Sequence, residues 1–140
     1  MTAIAHPAAP APSRSLLRQA LWFDALSVAA LGLLLALPEA LLEPLLGLDA
    51  VFLRTVGVLL LPFAAFVGWV ASRETPPRGA VLWIVGLNEL YVVASFAILF
   101  FGWVQPTALG AVFIVAQALV GAAVSVAEFV GLRRETSRAG

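Results

Sequence analysis

Apolar side chains fill four long stretches of this chain, 16–37, 51–72, 80–104 and 107–132, with few polar interruptions in each. A helix on the surface of a soluble domain reserves a polar stripe for water, and these stretches have none. At ~1.5 Å of rise per residue, about 20 apolar residues cross the hydrocarbon core of a bilayer, so each stretch is long enough to span it. The pattern predicts an all-α fold: a polytopic membrane protein built as a four-helix transmembrane bundle, its single membrane domain covering 16–132.

The breaks between the stretches are equally legible. Pro38 stops the first helix, and Pro76 and Pro77 bar continuation after the second, with Gly79 relaxing the exit. Gln105 and Pro106 alone separate the third and fourth, which predicts an antiparallel hairpin. Residues 38–52, PEALLEPLLGLDAVF, are too short to span and are split by Pro44. Leu41, Leu45 and Leu48 fall on one helical face of that segment and Glu39 and Glu43 on another, so it is expected to lie in the membrane interface as one or two short turns. Pro62, in the middle of the second helix, leaves the Val58 carbonyl without its amide donor and predicts a bend. Residues 1–15, with Pro7, Pro10 and Pro12, read as a disordered cytoplasmic tail, and 133–140, RRETSRAG, as a basic one. The apolar run from 19 to 37 exceeds the ~7–15 residues of a signal-peptide core and is interrupted by Asp24, which argues against cleavage.

Charge sets the orientation. Seven of the eight basic residues, Arg14, Arg18, Arg73, Arg78, Arg133, Arg134 and Arg138, fall in the two tails, at the start of the first helix and around the second loop. The first loop carries Glu39, Glu43 and Asp49, with Arg54 alone beyond it. By the positive-inside rule both termini are cytoplasmic, Trp22, Trp69 and Trp83 lie toward the inner interface and Trp103 at the outer one. The Ala-, Leu- and Arg-rich, lysine-free composition has the look of a small bacterial inner-membrane protein.

The chain also aligns with itself. FDALSVAALGLLL lies over LNELYVVASFAIL with Asp24 on Asn88, and the second and fourth helices match Gly57 with Gly110, Gly68 with Gly121 and Ser72 with Ser125. Two parallel hairpin repeats about an axis along the membrane normal would bring Asp24 and Asn88 to similar depth.

Polar residues inside the apolar stretches are the candidate chemistry. In the fourth helix Gly110, Gln117, Gly121 and Glu128 follow at intervals of seven, four and seven, so one face carries the polar groups together with the glycines. In the second, Gly57, Ala64 and Gly68 form a stripe of small residues suited to close helix contact. Asp24, Asn88, Glu89, Tyr91, Gln117 and Glu128 form the candidate site for a ligand, a proton or a cation. A carboxylate at a helix centre costs about 2.5–3.5 kcal/mol to insert, so Glu89 is expected to face a partner or a cavity. Two readings compete. Interhelical hydrogen bonds worth about 0.6–2 kcal/mol would make the cluster structural glue, whereas acids with no basic residue at their depth would make it a site. Glu128, close to Arg133 and Arg134, fits the glue reading best.

Several chemistries are disfavoured. The chain has no cysteine and no lysine, and its single histidine, His6, lies in the N-terminal tail. Ser27, Ser95 and Ser125 therefore lack a basic partner for nucleophilic catalysis, and helix-borne haem ligation and a di-iron centre lack their histidines. No metal, cofactor or nucleic-acid partner is expected. The remaining expectation is a non-enzymatic binding or accessory subunit that packs against itself, another membrane protein or a lipophilic ligand. A proton- or cation-coupled transporter working as an oligomer is the alternative, and an intramembrane enzyme the third.

Overall fold

The computed structural model describes residues 15–140, Glu39 by its backbone alone; His6 and the tail assigned to 1–15 lie outside it apart from Ser15. Five helices follow in order: α1 Leu16–Leu35, α2 Glu39–Leu46, α3 Ala50–Ala71, α4 Arg78–Phe100 and α5 Ala108–Ala139. All but α2 are long and apolar enough to cross a membrane. The protein is an all-α, four-span bundle.

Local polar groups set the helix ends. The Ser15 hydroxyl accepts from the Arg18 amide at 3.2 Å, Asp49 Oδ1 from the Val51 and Phe52 amides at 2.9 and 3.2 Å, and the Thr107 hydroxyl from the Gly110 amide at 3.0 Å. Each satisfies an amide that has no partner inside its helix. At the other end of α3, Arg18 Nε donates to the Ala71 carbonyl at 3.2 Å, joining the start of α1 to the end of α3.

Three boundaries differ from the sequence reading. The third span stops at Phe100, because Gly102 takes a left-handed φ of 67° and the amides of Gly102 and Trp103 turn back onto the Leu99 and Ile98 carbonyls. The connection to α5 is correspondingly longer than two residues. α5 continues through 133–139, where neither glycine nor proline interrupts it before Gly140. The segment after α1 is an eight-residue helix with a different face inward: Leu42, Leu46 and Leu48 are buried while Leu41 and Leu45 are exposed. Its rotation is set by Thr107, whose amide donates to the Leu46 carbonyl at 2.9 Å and whose hydroxyl donates to the Leu45 carbonyl at 2.6 Å. Gly47, at a φ of 65°, then reverses the chain. Pro62 lies on an exposed side of α3, and the helix is continuous through it.

α3 packs along α1, α5 packs on both α1 and α4, and α3 touches α4 only sparsely. Glycines permit the closest crossings. A Cβ on Gly57 would come within 3.0 Å of the Gly32 carbonyl oxygen, and one on Gly131 within 2.6 Å of the Leu17 backbone nitrogen. Two apolar clusters close the ends of the bundle. Leu17, Leu21, Val67, Val70, Val81 and Ile84 form one around the ends that carry the arginines. Leu35, Leu42, Leu46, Leu48, Leu53 and Ile114 form the other, beneath α2.

Candidate functional site: an intramembrane acid pair and cavity

Between the two clusters the interior is polar. Asp24 on α1 is 2% exposed, and its Oδ2 accepts from Nδ2 of Asn88 on α4 at 2.8 Å. The two residues that the repeat alignment superposes are thus joined directly. The bond ties α1 to α4 across the interior. Glu128 on α5 is fully buried beside them, within electrostatic reach of Asp24 and Asn88. Among the described residues neither of its oxygens has a hydrogen-bond partner, nor has the buried Ser125 hydroxyl one turn earlier. The Glu128 side chain is directed into the bundle, away from the exposed Arg133 and Arg134; the Arg133 guanidinium instead lies over the Phe129 ring at 5.9 Å. An interfacial ion pair for Glu128 is therefore not what forms.

Above this acid pair lies a cavity of about 540 Å³. Asp24, Ser27, Asn88, Tyr91 and Gln117 supply its polar lining, and the remaining walls are almost wholly aliphatic with Phe63. Leu34, Leu59, Leu87 and Val120, which line it, are each more than a third exposed, so the cavity opens sideways at the depth of the spans. The sparse contact between α3 and α4 leaves the room. Gln117 Nε2 donates to Ser95 Oγ at 3.2 Å and to the Ile114 carbonyl at 3.0 Å, linking α5 to α4 at the cavity's edge. Beyond Gln117 and Tyr91 a second cavity of about 190 Å³ reaches toward Phe52 and Ile114.

Of the six candidate residues, Asp24, Asn88 and Glu128 cluster, and Tyr91 and Gln117 border the cavity. Glu89 does neither. It is the twelfth of the 23 residues of α4, points outward, and has no hydrogen-bond or ion-pair partner among the described residues. The expectation that Glu89 faces a cavity within this chain is corrected for a geometric reason. One residue is 100° of helical turn, and Asn88 takes the inward direction.

The small-residue positions also divide. Gly57 and Gly110 lie against backbone, of Gly32 and Leu46 respectively, and Ala64 is buried. A Cβ on Gly68 would have only Ala25 within 4 Å, at 3.8 Å, and one on Gly121 only the Val92 methyl, at 3.5 Å. Gly121 borders the cavity rather than a tight crossing. Sequence reasoning passed over Ser125 near the acid pair and Gly131 at the close crossing with α1. Continuing the Gly110–Glu128 face by one helical turn reaches Gly131, and the repeat alignment already marked Ser125 through Ser72.

No family model, curated protein or solved structure matches the chain. Fold and site together define its class: a small four-span helical membrane protein with a polar-floored cavity open to the surrounding apolar phase.

Proposed function

We propose that this protein is a non-enzymatic membrane binding protein whose cavity takes up a lipophilic molecule from the bilayer. The observation that carries the proposal is the cavity itself: about 540 Å³, aliphatic walls, and a small set of converging polar groups at Asp24, Asn88, Tyr91 and Gln117. Ligand sites have this make-up, with volumes of about 300–1,000 Å³ and few polar groups that fix orientation. The rim lies at bilayer depth, so a hydrophobic ligand reaches it without crossing water. A transport role would require the cluster of Leu17, Leu21, Val67 and Ile84 below the acids to part, and these side chains are fully buried. In this reading the arginine-bearing ends face the cytoplasm of a bacterial cell, by the positive-inside rule.

Tritiated dodecanol added to the protein in lipid nanodiscs tests this reading. Saturable binding of one molecule per chain, above that of empty nanodiscs, is expected. Gly121→Leu projects an isobutyl group into the cavity and is expected to weaken that binding at least tenfold while the protein stays folded. Partitioning without saturation, or an unchanged affinity in the variant, contradicts the proposal.

Glu89 favours a second element of the reading, that the chain works as a homo-oligomer. An exposed carboxyl at the midpoint of a membrane helix costs about 2.5–3.5 kcal/mol facing lipid. Gly86, on the same exposed face one turn away, has open space around its α-carbon and permits close approach. A two-fold axis along the membrane normal would set two Glu89 side chains at one depth and facing each other rather than lipid. Because the chain lacks cysteine, Gly86→Cys gives a unique thiol. Oxidation in native membranes is expected to yield a disulfide-linked dimer with Gly86→Cys and none with Val126→Cys on the exposed side of α5. Equal cross-linking of the two variants contradicts this interface.

A further inference from the structure

We infer that the ligand of this cavity carries a protonatable amine, held at the Asp24–Glu128 acid pair; the inference rests on the cavity being a lipophile site. Two carboxyls lie side by side, 2% and 0% exposed, on helices that pack against one another. Asp24 Oδ2 has a donor, Asn88, whereas the two Glu128 oxygens accept from no donor among the described residues. Asn88 donates through Nδ2, and the amide brings no charge.

No basic side chain answers the pair from any helix around it. Arg18, on α1, is turned to the Ala71 carbonyl at the bundle's end. On α3, Arg54 belongs to the opposite end, and Arg73, just past that helix, lies 4.4 Å above the Trp69 ring. On α4 the basic residue is Arg78, the first of the helix and exposed, while on α5 Arg133, Arg134 and Arg138 are exposed beyond Glu128. The chain contains no lysine at all. A buried acid pair that no basic side chain among the described residues neutralises is complementary to a cation that arrives from outside the chain.

An organic ammonium fits better than a metal ion. Among the described residues no group of three His, Cys, Asp or Glu side chains assembles, and two carboxyls with one amide fall short of the six to eight oxygens that calcium takes. Ammonium needs few acceptors, and carboxyl oxygens can provide them. Asp24 lines the cavity floor while Glu128 lies behind it, so the nitrogen meets Asp24 first and the alkyl body remains against the aliphatic walls. The amine is held as ammonium, which brings its own proton into the hydrogen bonds it donates to the carboxyl oxygens.

The test compares two probes of equal length, tritiated dodecylamine and dodecanol, on the full chain in zwitterionic-lipid nanodiscs. Dodecylamine is expected to bind at least tenfold more tightly than dodecanol, one per chain. Asp24→Asn keeps the acceptor for Asn88 and removes the charge, and it is expected to abolish the amine's advantage over dodecanol, bringing the two affinities within threefold of each other. Equal affinities for the two probes in the unaltered protein overturn the amine inference and leave the lipophile site standing. Saturable binding of neither probe overturns both. The comparison within the unaltered protein holds even if Asp24→Asn fails to fold, and Glu128→Gln provides a second variant with the same expected loss.

Discussion

Gly131→Val is expected to destabilise the bundle severely, at the upper end of the ~1–3 kcal/mol that overpacking costs, and Gly121→Val to change stability little. The reason lies in what each side chain would meet. A Cβ at Gly131 would be 2.6 Å from the backbone nitrogen of Leu17 and 2.7 Å from its α-carbon, so α1 itself would have to move. That movement would disturb Leu17 and Leu21, which are fully buried in the cluster closing the arginine-bearing end, and the Arg18 bond to Ala71. At Gly121 the nearest atom is a Val92 methyl at 3.5 Å, an ordinary contact, and the cavity offers the remaining space. Thermal unfolding of the two variants in one detergent checks the contrast. Equal losses would contradict the close α1–α5 crossing at Gly131.

The spans were legible because their determinants are local. Length, hydropathy, and prolines at 38, 76, 77 and 106 are read one residue at a time, and the structure places its four long helices where those signals lie. Where boundaries moved, tertiary bonds had intervened. The turn of α2 about its axis follows from Thr107, which is 61 residues beyond Leu46 in the chain, and no periodicity within 38–52 could have revealed it.

The site was legible in part. Asp24 and Asn88 could be paired because the self-alignment put them at one depth on helices running the same way. For Glu128 the sequence favours structural glue because Arg133 and Arg134 follow it closely, yet successive residues of a helix point 100° apart. Its own direction is inward, along the face already marked by Gly110, Gln117 and Gly121. Glu89 failed in the opposite sense: with Asn88 inward, its neighbour is carried outward, and depth alone could not tell which of the two would enter the cavity. Membrane helices hide such distinctions because lipid-facing and core-facing positions are both apolar, so the polarity contrast that orients a soluble helix is missing.

Whether the buried acids serve a ligand rather than the fold is decided by Glu128→Met. Methionine matches glutamate closely in length, needs no hydrogen bond, and fills the space beside Asp24 and Leu132. An unsatisfied buried polar group costs about 1–3 kcal/mol, so exchanging it for an apolar side chain of similar volume is expected to be neutral or stabilising. Removing a side chain that made needed interhelical bonds would instead cost about 0.6–2 kcal/mol. The measurement pairs thermal unfolding in nanodiscs with dodecylamine binding on the same preparation. The unfolding temperature is expected to equal that of the unaltered protein or exceed it by a few degrees, with amine affinity reduced at least tenfold. A lower unfolding temperature with amine affinity unchanged would contradict the ligand role and return Glu128 to the bundle as structural glue.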